Sequence, residues 1–305
     1  MRIPKGGIAF FDSGIGGLTV LAECMQSIPD GVFYYYGDNA HAPYGNLPQK
    51  QIRRYVFRAM KKFKKLKASA VVLACNTATA VCVEELRKKY EIPIIGAEPA
   101  VCPAAKLGGE IFVLATCATC ESQRLQILCK KARSLYPDAK ITLQPCVELA
   151  AKIEKEDFLN IDLSKFLPKG NPTAVVLGCT HYIYVKEQIE NFYGCKAYDG
   201  NVGIAKRLQK IIRLKNEQKM EKFNGKKHFC KKNRDERPPN EKNREKRPFL
   251  PPLSNTKNEK EKVNECSSKK GDEIAKRGDF AVFYLGNRQK TNMRSFNLFL
   301  KNRKK

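Results

Sequence analysis

Two cysteines follow two nearly identical apolar segments, and their setting is the strongest sign of chemistry in this chain. The first segment and its later echo read Ala70-Val71-Val72-Leu73-Ala74-Cys75-Asn76-Thr77 and Ala174-Val175-Val176-Leu177-Gly178-Cys179-Thr180-His181. A reaction that removes a proton from one face of a carbon atom and returns one to the other face needs two opposed acid/base groups. Two related half-structures, each carrying one thiol, would supply them.

The two cysteines differ from the ordinary buried cysteine, which packs as a small apolar side chain. Cys75 and Cys179 each precede hydrogen-bonding residues at a predicted helix N-terminus, where the dipole favours a thiolate. Lowering a thiol pKa of about 8.5 by one unit, worth roughly 1.4 kcal/mol, would greatly enlarge the population of base at neutral pH. Asp12 near Cys75 and His181 beside Cys179 are predicted to tune that balance.

Polar loops follow other predicted strands. Asp12-Ser13-Gly14-Ile15-Gly16-Gly17 could form a nucleotide-binding loop, but a Rossmann fingerprint would need glycine where Thr19 stands, and no P-loop Gly-Lys-Ser/Thr follows. Its acid, hydroxyl and amide donors fit a small carboxylate-bearing substrate better. Asp38, after the second strand, is equally well explained as a turn or helix cap. Thr116, Thr119 and Ser122 are donors for carboxylates and also ordinary N-cap residues.

Composition indicates a globular protein with one or two domains, since 42 % of the 305 residues are apolar. The N-terminal apolar run is too short for a secretory signal, and the uncharged stretch 68–83 falls short of the roughly 20 residues of a membrane span. We therefore expect a soluble, cytoplasmic protein with no membrane contact. Cysteines make up about 4 % of the chain, below the roughly 8–10 % of a disulfide scaffold, so reduced thiols are expected.

A metal or redox site is the alternative interpretation of one cysteine pair. Cys117 and Cys120 form a C-x-x-C sequence, but no second pair lies at zinc-ribbon spacing. We interpret them as ordinary cysteines at a strand-to-helix turn and predict no metal and no cofactor.

Up to about residue 212, short β-branched or aromatic runs alternate with amphipathic stretches, the pattern of an α/β fold with largely parallel sheets. A helix is predicted from Gln49 to Lys67, after Pro48. A last strand is predicted at 280–286, followed by a short helix bearing Phe296, Leu298, Phe299 and Leu300. The other strands are predicted at 8–11, 32–36, 70–73, 94–95, 111–114, 141–143, 174–177 and 196–198.

The C-terminal part differs in composition. Residues 213–305 hold 28 Lys/Arg against 12 Asp/Glu, which accounts for +16 of the formal net charge of +26. Residues 214–276 are rich in Lys, Glu, Asn and Pro and poor in apolar side chains, so a disordered insertion is predicted. Nucleic-acid binding by this basic insertion is an alternative primary role, but its many acidic residues and lack of interleaved aromatics favour a solvated segment.

Taken in order, seven segments resemble the cofactor-independent glutamate racemases of the aspartate/glutamate racemase superfamily. They cover about the first 210 residues, and Phe283-Tyr284-Leu285-Gly286-Asn287 resembles the closing strand of that family. The segments are Phe11 to Gly17, Tyr36-Gly37-Asp38, Pro43-Tyr44-Gly45, Ala74 to Ala80, Glu98-Pro99-Ala100, Ala115 to Thr119 and Leu177 to Tyr182.

The resemblance implies racemisation of L- and D-glutamate by two bases, Cys75 acting on D-glutamate and Cys179 on L-glutamate. It gives Asp12 and His181 assisting roles, with Glu148 as the partner of His181. It implies D-glutamate supply for peptidoglycan, and it leaves the oligomeric state open, with a homodimer as one candidate. The substrate-binding positions it implies are Ser13, Tyr44, Gly45, Asn76, Thr77, Thr116, Thr119 and Thr180.

The implied fold has two pseudo-symmetric α/β domains with parallel-type sheets flanked by helices and the active site between them. The first domain comprises 1–97, 205–213 and 277–301, and the second comprises 98–204. Ile183 and Ala115 replace the usual proline and glycine, and the insertion has no counterpart in the family pattern. A related racemase acting on aspartate or another amino acid is the alternative enzyme.

Overall fold

The computed structural model describes residues 4–28, 31–155, 158–235, 273–277 and 280–285. The strands in this part are β1 Ile8–Asp12, β2 Val32–Gly37, β3 Ala70–Leu73, β4 Ile94–Gly96, β5 Gly109–Ala115, β6 Ala139–Pro145, β7 Ala174–Leu177, β8 Lys196–Tyr198, β9 Glu273–Arg277 and β10 Phe280–Leu285. The helices are α1 Leu18–Ser27, α2 Gln49–Lys65, α3 Asn76–Lys89, α4 Val101–Ala105, α5 Cys117–Cys120, α6 Gln123–Leu135, α7 Leu149–Lys155, α8 Lys186–Tyr193 and α9 Asn201–Asp235.

The strands form two sheets. The first has the order β4-β3-β1-β2-β10-β9, in which only β9 runs antiparallel to its neighbour. The second, with the order β6-β5-β7-β8, is parallel throughout. The predicted α/β fold with two parallel-type sheets flanked by helices is thereby confirmed.

The predicted strands all correspond to strands of the structure. Fully buried parallel strands such as β1, β3 and β7 have continuous apolar runs because helices cover both of their faces. The predicted helix from Gln49 ends at Lys65 rather than Lys67, because the chain turns out of the helix and Lys67 takes a φ of 52°. The predicted helix around Phe296 lies outside the described residues.

One apolar cluster joins the two sheets. Alternation along β1 sends Phe10 into this cluster and Phe11 to the opposite face, against α2 and α3. Phe112 and Leu114 of β5 enter the same cluster from the second sheet, while Val113 faces α4 and α6. The shared core therefore holds the carboxyl ends of both sheets in one compact body.

The predicted insertion, residues 214–276, differs from the structure at both ends. Helix α9 continues to Asp235, since Lys, Glu, Gln and Met form helices readily without apolar burial. Strand β9 begins at Glu273 because its backbone pairs with β10, a partner that composition does not reveal. The predicted disorder between 236 and 272 lies outside the described residues.

The contacts group the described residues up to Ile212, together with β9 and β10, into one compact unit that contains both sheets. Residues of α9 from Arg213 onward belong to a second unit. The predicted domain boundaries at 97–98 and 204–205 fall between β4 and α4 and within α9, and they stay a prediction. No helix in the described part of the chain is long and apolar enough to span a bilayer.

The shared core predicts a large cost for Phe10→Ala, because Phe10 is 0 % exposed on a central strand. We expect the free energy of unfolding, measured by urea titration, to fall by about 3–5 kcal/mol. The matched control is Phe192→Ala, whose side chain is 43 % exposed and whose loss should cost about 1 kcal/mol or less. Equal losses for the two variants would contradict a core centred on β1.

Candidate active site

The residues predicted to do chemistry lie at the carboxyl ends of strands in both sheets. In the first sheet Asp12 ends β1 and Cys75 follows β3; in the second Thr116 follows β5 and Cys179 comes two residues after β7. Each of these side chains is at most 7 % exposed. In parallel sheets the carboxyl ends of the strands gather ligand contacts.

Cys75 is the N-cap of α3. Its Sγ accepts a hydrogen bond from the N–H of Ala78 at 3.4 Å and donates to Ser13 Oγ at 3.6 Å. Burial, with a further contribution from the Asp12 charge, nevertheless raises the pKa of Cys75 to about 12, and Cys179 adds to the increase. The expectation of a lowered Cys75 pKa is therefore wrong, because the helix N-terminus does not compensate for desolvation. Cys75 is a protonated thiol at neutral pH.

Cys179 has different neighbours. It precedes a 3₁₀ segment, Thr180–Val185, and its Sγ lies 3.7 Å from Nδ1 of His181. On the other side of the ring, Nε2 of His181 lies 2.6 Å from Oε2 of Glu154. Burial by itself would lower the pKa of His181, but its hydrogen bonds with Cys179 and Glu154 raise this pKa well above 6.5. The imidazole beside the Cys179 sulfur is therefore cationic at neutral pH.

Glu148, predicted to partner His181, does not do so. Its side chain is exposed and its backbone takes a φ of 63° just before α7 begins. The partner is Glu154, which lies near the end of α7 on the same side of the helix as Ala150, four residues earlier. The sequence did hold a signal for this contact. Glu154 falls at the spacing of the buried apolar residues of α7, which indicates a carboxylate on the buried face of the helix.

Glu154 is held by donors from both halves of the molecule. Oε2 accepts from the N–H of Ile15 at 3.0 Å as well as from His181, and Oε1 accepts from Nδ2 of Asn39 at 3.0 Å. A Cβ on Gly14 would meet the carboxylate, so a larger residue at this position would displace Glu154. Burial would raise the pKa of Glu154, but the interactions with His181, Ile15 and Asn39 lower it. Glu154 and His181 therefore form a buried ion pair.

Asp12 connects the surroundings of the two thiols. It is fully buried, accepts from the N–H of Gly14 at 2.9 Å and accepts from Thr180 Oγ1 at 3.3 Å. Its charge influences Cys75, while Thr180 adjoins Cys179 in the chain. Burial raises the pKa of Asp12, against an opposing effect of the His181 charge. Cys75, Asp12, Thr180 and Cys179 thus belong to one buried cluster rather than to separate regions.

Three predicted substrate-binding hydroxyls form a second cluster. Thr77 Oγ1 lies 3.1 Å from Thr116 Oγ1 and 3.2 Å from Thr119 Oγ1, and the latter two are 3.0 Å apart. Thr77 lies in α3, beside the first sheet, whereas Thr116 is the N-cap of α5 and Thr119 lies within α5, beside the second sheet. Hydroxyl hydrogens rotate freely, so this cluster can donate to a bound carboxylate.

The remaining predicted binding residues adjoin these clusters. A Cβ on Gly45 would lie 2.9 Å from Cβ of Thr116. The hydroxyl of its neighbour Tyr44 donates to Asp38 Oδ2 at 2.6 Å, so Asp38 fixes this ring rather than capping a helix. Asn76 and Thr180 line a small cavity together with Cys179.

Sequence reasoning missed Glu154, Asn39 and the contact between His41 and Asp38. Nδ1 of His41 lies 3.0 Å from both oxygens of Asp38, and its ring stacks on Tyr55 with centroids 3.9 Å apart. Within the described ranges, no group of three or more His, Cys, Asp or Glu side chains is arranged to hold a metal ion. The ten cysteines with described side chains are free thiols, including Cys117 and Cys120 at the turn after β5.

Curated relatives and solved structures of similar sequence are glutamate racemases. A glutamate racemase of Clostridium perfringens is 38 % identical over 236 residues, covering 73 % of this chain and 89 % of the relative. Escherichia coli glutamate racemase, solved with L-glutamate and the activator UDP-MurNAc-Ala, is 30 % identical with a TM-score of 0.61 over 69 % of this chain and 83 % of that one. Francisella tularensis glutamate racemase, solved with D-glutamate, is 29 % identical with a TM-score of 0.59 over 70 % and 82 %.

A family model provides a comparison that is independent of these individual proteins. A family sequence model described as Asp/Glu/Hydantoin racemase matches residues 19–208, more than half of the chain. This range contains both thiols, the His181–Glu154 pair and the hydroxyl cluster. The fold, the site and the family match agree, and the chain belongs to the Asp/Glu/hydantoin racemase family.

Proposed function

We propose that this chain interconverts L- and D-glutamate without a cofactor, with Cys75 and Cys179 as the two acid/base groups. The observation that carries the proposal is the joint burial of two thiols, from two sheets, around Asp12 and Thr180. The glutamate racemases related to this chain support glutamate as the substrate, and two of their structures hold its L and D forms.

The two thiols have different electrostatic surroundings. Nδ1 of His181 lies 3.7 Å from the Cys179 sulfur, where the imidazole can stabilise negative charge that develops during proton transfer. Cys75, with its raised pKa, keeps its proton. The site at rest is thus prepared to take the α-proton of L-glutamate with Cys179 and to supply a proton from Cys75.

The proton balance follows from this arrangement. When Cys179 takes the α-proton, the C–H electron pair remains on the substrate carbon, and Cys75 donates its proton to the opposite face. The product is D-glutamate, and the enzyme now has a thiol at Cys179 and a thiolate at Cys75. A turnover of D-glutamate runs these steps in reverse, and proton exchange with water also restores the starting state.

The carbanion-like transition state requires strong electrostatic stabilisation, because enzymes lower such barriers by about 8–23 kcal/mol. The hydroxyls of Thr77, Thr116 and Thr119 are candidate donors to the substrate carboxylates, with Ser13 and Asn76 close to Cys75. Donors that are already oriented by the fold need no reorganisation during the reaction. Their burial between the sheets also excludes water, which strengthens each interaction.

The physiological use that fits this reaction is the supply of D-glutamate for peptidoglycan in the bacterial cytoplasm. Aspartate is the alternative substrate, because the same paired-thiol scaffold serves several amino acids. Circular dichroism of each amino acid incubated with the purified chain separates the two. Racemisation of aspartate in preference to glutamate would contradict the proposal.

Replacing either thiol by a hydroxyl should stop racemisation, because serine is far too weak an acid to exchange a proton at neutral pH. We expect Cys75→Ser and Cys179→Ser each to lower kcat by about a thousandfold or more, measured by circular dichroism with L- and D-glutamate. Cys195→Ser, a half-buried cysteine outside the site, is the matched control and should keep native activity. Near-native activity in either site variant would rule out the two-thiol mechanism.

Two bases also predict a labelling pattern in D₂O. The thiol that donates to the product has exchanged with solvent, so D-glutamate formed from L-glutamate should carry deuterium at Cα. The L-glutamate that remains should keep protium during the first turnovers, as followed by ¹H NMR or mass spectrometry. Transfer of the original protium into the product would indicate a single base that serves both faces.

The His181–Glu154 pair predicts a pH-dependent contribution to stability. The lowered Glu154 pKa stabilises the fold above the unfolded value of about 4.3, and the raised His181 pKa stabilises it below the unfolded value of about 6.5. Both contributions are complete between these pH values; the first is lost on acidification through the folded Glu154 pKa and the second on alkalinisation through the folded His181 pKa.

We therefore expect Glu154→Gln to lower the free energy of unfolding by about 3 kcal/mol near pH 5.5 and by less near pH 9.5. Urea titrations at the two pH values provide the measurement. Glu187→Gln, at an exposed position of α8, is the control and should change little. A loss that is the same at both pH values would mean that the pair is not ionised in the folded protein.

A further inference from the structure

One amide beside the ion pair has an arrangement that stability does not explain. Asn39 follows Asp38 in the loop after β2 and is 6 % exposed. Its Nδ2 donates to Glu154 Oε1 at 3.0 Å. Its Oδ1 is buried and has no hydrogen-bond partner among the described residues. A buried polar atom without a partner costs stability, and such atoms in native proteins call for an explanation.

The orientation of the amide follows from the charge of Glu154. With the amide reversed, Oδ1 would face a carboxylate oxygen and the two acceptors would repel each other. Donation from Nδ2 to Glu154 therefore fixes the amide and leaves Oδ1 without a partner. The Glu154 carboxylate thus gains an N–H donor, and the cost is a buried Asn39 Oδ1 without a hydrogen-bond partner.

The location of the contact gives the amide its role. Glu154 lies in α7 and His181 in the 3₁₀ segment after β7, both beside the second sheet, whereas Asn39 and Ile15 lie in loops after strands of the first. Asn39 is the only side chain of the first sheet with a hydrogen bond to the Glu154 carboxylate among the described contacts. It fixes Oε1, while Oε2 faces the imidazole ring.

We infer that Asn39 is a positioning residue for proton transfer at Cys179, holding Glu154 ionised and oriented so that His181 stays cationic beside the sulfur. This rests on the proposed two-thiol function. Asn39 does not touch the reacting atoms; it acts through Glu154 and His181. Asn39 reaches Glu154 from the side of the first sheet. The charges of Glu154 and His181 therefore depend on how the two sheets are placed against each other.

Other titratable groups face the same pair from several elements. Asp12 lies at the end of β1 and influences both members of the pair. Two buried tyrosines, from β2 and from the 3₁₀ segment, also interact with the Glu154 charge, and burial raises the pKa of each, so both stay neutral; they are Tyr35 and Tyr184. Asp12 and Cys179 are thus the other groups whose charge must be followed when the pair is titrated.

The first test is Asn39→Leu, which removes the donor and the unpartnered oxygen at similar volume. We expect kcat to fall about tenfold or more, as for loss of one hydrogen bond to a charged group, with KM changed less than about twofold. The Glu154 pKa should rise and the His181 pKa should fall, so the pH profile of kcat should narrow from both sides. The thermal midpoint should change little, because the lost hydrogen bond to Glu154 is offset by the removal of a buried oxygen without a partner.

The second test is Asn39→Asp, which conserves size. At acid pH the new carboxyl group is protonated and can donate to Glu154 as the amide did. At higher pH it is ionised and repels Glu154. We therefore expect activity relative to the native chain to be highest at acid pH and to fall as the pH rises. Asn171→Leu and Asn171→Asp, at an exposed position before β7, are matched controls that should leave every readout unchanged.

Direct titration of His181 separates this inference from the proposed function. The chain contains three histidines, so the ¹⁵N ring signals of His181 are identified by their loss in His181→Asn. A lower His181 pKa in Asn39→Leu supports the positioning role even if the native chain does not racemise glutamate. An unchanged His181 pKa with unchanged pH limits overturns it, and so does a fall in thermal midpoint that accounts for the lost activity.

Discussion

The structure depends on a carboxylate that crosses from one half of the molecule into the other. Glu154 reaches from α7 into the loops after β1 and β2, where it accepts hydrogen bonds from Ile15 and Asn39. A buried charge is tolerated only when it is paired and fully hydrogen-bonded. The two sheets must therefore be correctly apposed for Glu154 to keep its charge when buried, and the cationic state of His181 depends on that charge.

The two cysteines illustrate how equal local sequences acquire unequal chemistry. β3 and β7 have the same Ala-Val-Val-Leu sequence, and each leads to its cysteine within two residues. Cys75 then meets Asp12 and a helix amide, whereas Cys179 meets an imidazole. The repeated strand places each cysteine at the end of its sheet. The electrostatic environment of each thiol depends on neighbouring residues that the two repeats do not share. A site for two mirror-image substrates can thus be built from similar halves without being symmetric in charge.

Much of the fold could be predicted because parallel strands buried on both faces have continuous apolar sequences. The paired cysteines, Asp12 and the threonines could be predicted because they end such strands. The resemblance implies Glu148 instead of Glu154, because the match of segments does not reveal which face of α7 is buried. The direction of the Cys75 pKa shift could not be predicted either, because the helix dipole is local whereas desolvation depends on both sheets.

The limits of composition appear again near the C-terminus. Charged side chains predicted disorder from residue 214, yet α9 continues through Asp235 and β9 begins at Glu273. Helix propensity and backbone pairing act on polar residues as well, and composition alone does not reveal either of them. The partner of Asn39 was hidden for a related reason, since its contact with Glu154 joins residues 115 positions apart.

Strand β10 inserts between β2 and β9, although about 240 residues of chain separate it from β2. On the ribosome, the aromatic edge of β2, Val-Phe-Tyr-Tyr-Tyr-Gly, is therefore synthesised long before the strand that covers it. An open strand edge of this kind can pair with other chains. All four strands of the second sheet lie between Gly109 and Tyr198, so this sheet can complete its pairing during that interval. The first sheet is completed only when β10 has been synthesised.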